Sequence, residues 1–151
     1  MAILATFFSQ RGNSLFKIFS LTHIVTLLVI VLITTLSLFV IKEINYQTKK
    51  IIQGILGFFG LFLQIVYIVW LVYNNNFSIK ESLPLNICSI TLILVFFLFI
   101  TENKIIFNLQ YFLGICGSFY ALFFPNLLQD FPHFRFFEFF IAHSLILFSV
   151  F

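Results

Sequence analysis

Charge is what this 151-residue chain has least of: only 9% of its residues are Asp, Glu, Lys or Arg, against about 25% in a soluble domain. No water-facing surface can be assembled from so few. Five acids and eight bases leave a formal net charge of +3. The bases are scattered through the polar stretches rather than gathered into a patch, which argues against nucleic acid as a partner. Cysteine is nearly missing. Cys88 and Cys116 both sit inside apolar runs, where neither a disulfide framework nor a zinc-ligand spacing can be read. The pattern contains no Ser-His-Asp order, glycine-rich phosphate loop or HExxH, and neither a metal nor another cofactor is expected. Tryptophan occurs once against 25 phenylalanines, an excess that AT-rich codon usage would produce without any functional cause.

What is present is grease: 62% hydrophobic residues and a mean hydropathy of +1.14. Ile18 to Ile41 is uncharged and about 24 residues long, enough to cross the ~30 Å hydrocarbon core at 1.5 Å per residue. It also exceeds the apolar core of a signal peptide. Further runs cover about Ile51–Tyr73, Leu83–Ile100, Ile105–Phe124 and Arg135–Phe151, separated by polar loops. Ser82 and Pro84 suit the start of the third helix, Pro125 stops the fourth, and Tyr67, Trp70 and Tyr73 are residue types that favour the membrane interface. The expectation is an all-α, polytopic transmembrane bundle of about five spans. Residues 1–17 would form an N-terminal interfacial segment and 18–151 a single transmembrane domain. Such a chain belongs in the cell membrane as a multi-pass protein among lipids. The charge rule assigns no orientation, because alternating spans put four basic residues on each side.

A helix turns about 100° per residue, which gathers the polar residues into stripes. Ser20, His23, Thr26, Thr34 and Ser37 share a sector of span one. Gln53, Gly57, Gly60, Gln64 and Tyr67 do so on span two, and Gln110, Gly114, Gly117, Ser118 and Ala121 on span four. In lipid, small residues let backbones approach and polar side chains need protein partners, so these faces should turn inward. Ordinary helix packing, a helix partner or second copy, and a substrate cavity would all use them identically.

Groups able to do chemistry inside a span are costly and therefore candidates. His143 lies midway along the fifth run, where a neutral imidazole can take and return a proton. Cys88 follows Pro84 by one turn; it is either an inert small hydrophobe or a nucleophile. Asn86, with Ser89, needs a cross-helix partner. His23, Gln64 and Gln110 are the binding candidates on the stripes, whereas Cys116 falls opposite its stripe and should face lipid. Glu138 pairs with Arg135 three residues away, as an ion pair expected at the interface. His133 reads as a solvated or headgroup-level histidine.

In order and spacing, LPLNICSI (83–90), YFLGICGSFYALFFPNL (111–127) and FPHFRFFEFFIAHSLILF (131–148), with Ser20-Leu21-Thr22-His23, resemble the YwaF-like integral membrane proteins of bacteria. That resemblance implies a bundle of six or seven helices, of which this chain would carry five, and no established reaction. It extends distantly to an animal cysteine acyltransferase that moves an acyl chain onto a lysophospholipid. His143 matches the essential histidine of that relative. Its nucleophile follows the proline directly, where this chain has Leu85, and the usual family histidine is replaced by Asn86; Cys88, one turn on, is the substitute available. Three functions follow: a YwaF-like membrane protein without catalysis, a phospholipid-directed acyltransferase using Cys88 and His143, or a small transporter or channel component.

Overall fold

The computed structural model describes residues 7–10, 14–78 and 87–151. Five helices run through them: α1 Leu21–Glu43, α2 Tyr46–Tyr73, α3 Ile87–Thr101, α4 Lys104–Phe123 and α5 Phe134–Phe148. The expected cap and first turn of the third helix, Ser82 to Asn86, lie outside the described residues. Among the described residues the extended pairing is a lone antiparallel bridge between Leu15 and Gln129.

Four helices start where a polar side chain takes an amide that the first turn leaves unpaired. Ser20 accepts from the His23 amide, Asn45 from Thr48, Asn103 from Ile105 and His133 from Arg135. Caps and hydropathy mark different things. The second apolar run begins at Ile51, but Asn45 starts α2 at Tyr46, so the helix emerges from the greasy zone with Gln47, Lys49 and Lys50 on its first turns. At the first helix the correction goes the other way. Phe19 has a φ of 60°, which an α-helix cannot contain, and α1 therefore begins at Leu21 rather than Ile18.

The helices alternate in direction. The start of α1, the end of α2, the start of α3, the end of α4 and the start of α5 share one end of the bundle, as the contact of His23 with Leu122 and the residues around Cys88 show. At the other end the Lys50 ammonium meets the Glu102 carboxylate at 2.6 Å, joining α2 to the α3–α4 turn.

By length and composition α1, α2 and α4 can cross a membrane, α5 has 15 residues, about 22 Å of helix, and α3 is described from Ile87 onward. α3 and α5 are the centre. α3 packs on α2, α4 and α5, and α5 also touches α1, α2 and α4. Leu63, Leu92, Val95, Leu98, Phe99, Ala142, Leu145 and Ile146 form a core shared by α2, α3 and α5. A second cluster, Leu122, Leu127, Phe136 and Phe140, gathers Phe16, Leu27 and Ile30 onto it and so holds α1. The long helices turn Leu28, Val31, Phe58, Phe62, Phe112 and Phe119 outward, where acyl chains receive apolar surface without penalty.

The stripes face inward. Gly57, Gly60 and Gln64 of α2 and Gln110, Gly114 and Ser118 of α4 are buried, His23 is the buried residue of α1, and Cys116 is exposed. Trp70 is buried, and its indole N–H donates to the Phe8 carbonyl at 2.9 Å. The N-terminal segment ties down there. Asn74 also donates to Phe8 O, and His133 to Ser9 O.

Candidate functional cavity

Gly60 sets the floor of the site. A Cβ at this position would meet Leu145 Cδ2 at 3.1 Å and Leu92 Cδ1 at 3.3 Å, so α2, α3 and α5 converge on it with no room to spare. Toward the α1 N-terminal end, one turn on along α2 and α3 and two residues along α5, the helices carry Gln64, Cys88 and His143 in turn. These side chains, with Tyr67, Ser89, Leu92, Asn126, Arg135, Glu138, Phe139, Ala142 and Ile146, line a cavity of about 290 Å³. Its wall is graded. Arg135 and Glu138 stand near the start of α5, while His143, Ala142 and Ile146 lie deeper, with His143 about 12 Å further along the helix than Arg135.

Backbone chemistry decides how His143 is presented. Its Nδ1 lies 2.7 Å from the carbonyl oxygen of Phe139, and a carbonyl can only accept. Nδ1 therefore carries the proton, and Nε2 is left as the basic nitrogen. Among the described residues Nε2 has no hydrogen-bond partner, and the ring lies against Phe139, tilted by 33° with 4.2 Å between centroids. An imidazole anchored through one nitrogen with the other free is the arrangement a general base requires.

Cys88 is a free thiol, half-buried in the wall. Its own carbonyl accepts from the Thr91 hydroxyl at 2.9 Å, so the Thr91 hydroxyl is committed to the backbone. Gln64 is 7% exposed, and its Nε2 has no partner among the described residues.

Arg135 and Glu138 form the expected ion pair. Glu138 is buried, and the guanidinium that pairs with it lies over the Tyr67 ring at 4.1 Å and near Trp70 at 5.6 Å. Stacking on two aromatic faces lets a cation sit against low-dielectric protein. The i, i+3 spacing shows the pair in the sequence but not the surface against which it lies. The signal that locates it is the aromatic Tyr67–Trp70 face of α2, which gives the cation a surface to lie on.

The remaining candidates lie apart from this cavity. His23 is completely buried, its Nδ1 accepting from the Phe19 amide at 3.0 Å and its Nε2 donating to Leu122 O at 2.8 Å. Both nitrogens are used, and they staple the start of α1 to the end of α4. Gln110, also completely buried, donates from Nε2 to Ser149 Oγ at 3.0 Å across α4 and the end of α5. Asn86 lies outside the described residues. His133 is buried in the loop rather than solvated. The cavity thus unites Cys88, His143 and Gln64, and leaves His23 and Gln110 elsewhere.

Residues 18–151 match the family model of the TMEM164 family. No match was found among proteins of curated function or among solved structures.

Proposed function

The chain belongs to the TMEM164 family, and from that premise and its cavity we propose that it is a multi-pass cell-membrane protein that transfers acyl chains between phospholipids through Cys88. The YwaF-like kinship is part of the same proposal, since the motifs that carry it supply both residues. One observation carries the reading: a thiol and an imidazole whose Nε2 has no partner among the described residues line one cavity inside a membrane-type bundle.

The chemistry closes on these two groups. His143 Nε2 takes the Cys88 proton. The thiolate attacks the carbonyl carbon of a phospholipid ester, the carbon–oxygen bond breaks, and the departing lysophospholipid alkoxide takes the proton back from His143. A second lysophospholipid then gives its hydroxyl proton to His143 and attacks the thioester. The carbon–sulfur bond breaks, and the thiolate recovers the proton. Nothing is oxidised or reduced, and no cofactor enters. The graded wall supports the orientation, with the polar headgroup toward Arg135 and the chain toward Leu92 and Ile146.

The test is an alkyne-tagged phosphatidylcholine supplied to membranes containing the full chain. The expected result is a hydroxylamine-labile acyl adduct on Cys88, lost in Cys88→Ala and formed about 10²–10⁴ times more slowly in His143→Asn. An adduct independent of Cys88, or unaltered lipid species in membranes with and without the protein, overturns the proposal.

A further inference from the structure

An acyl-transfer site needs a third part besides nucleophile and base: a donor aimed at the oxygen on which negative charge develops. We infer that Gln64 is that donor, its Nε2–H group binding the carbonyl oxygen of the ester or thioester seated between Cys88 and His143. The inference rests on the acyl-transfer reading and adds the residue that recognises the acyl group itself.

Three observations lead to it. First, Gln64 is nine-tenths buried, and its Nε2 is unpartnered among the described residues, whereas several neighbouring polar groups are engaged. Arg135 holds Glu138, Thr91 bonds the Cys88 carbonyl, and Ser89 has a partner of its own. A buried amide donor without an acceptor is a cost that a ligand oxygen removes. Second, the close contact of Gly60 with Leu92 and Leu145 packs the three helices together one turn from Gln64 and Cys88 and two residues from His143. Donor, nucleophile and base are thereby carried on packed helices rather than on a loop. Third, the acceptor that fits is neutral. The cation in the wall is already paired with a carboxylate, so a phosphate placed beside Gln64 would bring an uncompensated charge into a low-dielectric site. A carbonyl brings none until the reaction creates it. At about 290 Å³ the cavity lies at the lower edge of small-molecule pockets, which suits an ester group whose chain continues out between helices.

The test uses the full chain in nanodiscs and two readouts. In a Cys88→Ala background, which cannot react, a lysophospholipid analogue with a ¹³C-labelled amide in place of its ester is bound, and the carbonyl stretch is followed by infrared difference spectroscopy. The expected result is a shift to lower frequency that disappears in Gln64→Met and weakens in Gln64→Asn, with both variants folded; Gln64→Met melts no lower than its parent because an unpaired polar group has been removed. With Cys88 restored, Gln64→Met slows acyl-adduct formation by about 10²–10³-fold. A carbonyl shift that persists in Gln64→Met, or that is missing with Gln64 in place, overturns the assignment. If the shift depends on Gln64 but no adduct forms on Cys88, carbonyl recognition stands and the transferase reading falls.

Discussion

Three histidines in this chain are held by backbone groups, and which nitrogen is held separates their roles. His23 and His133 accept at Nδ1 from an amide and donate from Nε2 to a carbonyl; His143 donates from Nδ1, and its Nε2 has no partner among the described residues. His23→Leu should therefore lower the melting temperature in detergent, at a cost of about 1–3 kcal/mol for the amide and carbonyl left unpaired, without changing the acylation rate of the folded fraction. His143→Leu should do the reverse, leaving stability unchanged or raised and abolishing the adduct. Burial pushes the proton affinity of His133 below its ordinary value, with Arg135 acting in the same direction and the Ser9 carbonyl opposing. A histidine whose folded pKa is depressed stabilises the protein fully above the unfolded value of about 6.5, and that contribution is lost as pH falls from there through the folded pKa. Melting temperature should accordingly drop between pH 7.5 and 5.5. His133→Asn, which retains a capping side chain but does not titrate, should flatten that drop.

Along α2 three glycines sit in different surroundings. A Cβ at Gly54 meets nothing within 4 Å, at Gly57 it meets the backbone Cα of Phe96 at 3.2 Å, and at Gly60 two leucine methyl groups. Gly54→Ala should be neutral or stabilising by about 0.5–1 kcal/mol, since glycine weakens a helix interior. Gly57→Ala should destabilise by about 1–3 kcal/mol, because backbone must move. Gly60→Ala should fall between in stability, with the leucines yielding, yet slow acylation by spreading the helices beneath the cavity. Detergent melts of the three variants rank them. The face that carries this series was legible in the sequence, because polar and small residues in lipid have one inward solution. The start of α2 was not: it depends on a single side chain, Asn45, and hydropathy does not register caps. The partner of Trp70 was not legible either, since its indole N–H is satisfied by the Phe8 carbonyl, a contact 62 residues distant that local pattern does not encode.

For the molecule as a whole, the number and order of helices could be read from uncharged runs. Their nesting could not, because apolar composition is the same for a helix facing acyl chains and one facing leucines. Packing resolves it: α3 and α5 each lie against three or more other helices, and with α2 they carry the site. Cys88, Gln64 and His143 were individually visible as polar or reactive groups within greasy runs, whereas the surface against which Arg135 and Glu138 lie was not. The arrangement makes a demand that exposure alone would reverse. Cys116 is open to acyl chains, and Cys88 is half-buried. The decisive measurement is peptide mapping after membranes are treated with a chloroacetamide carrying a lauryl chain. A Cys88–His143 site predicts alkylation of Cys88 well ahead of Cys116, slowed by His143→Asn. Faster alkylation of Cys116, or of Cys88 at a rate that His143→Asn leaves unchanged, would contradict it.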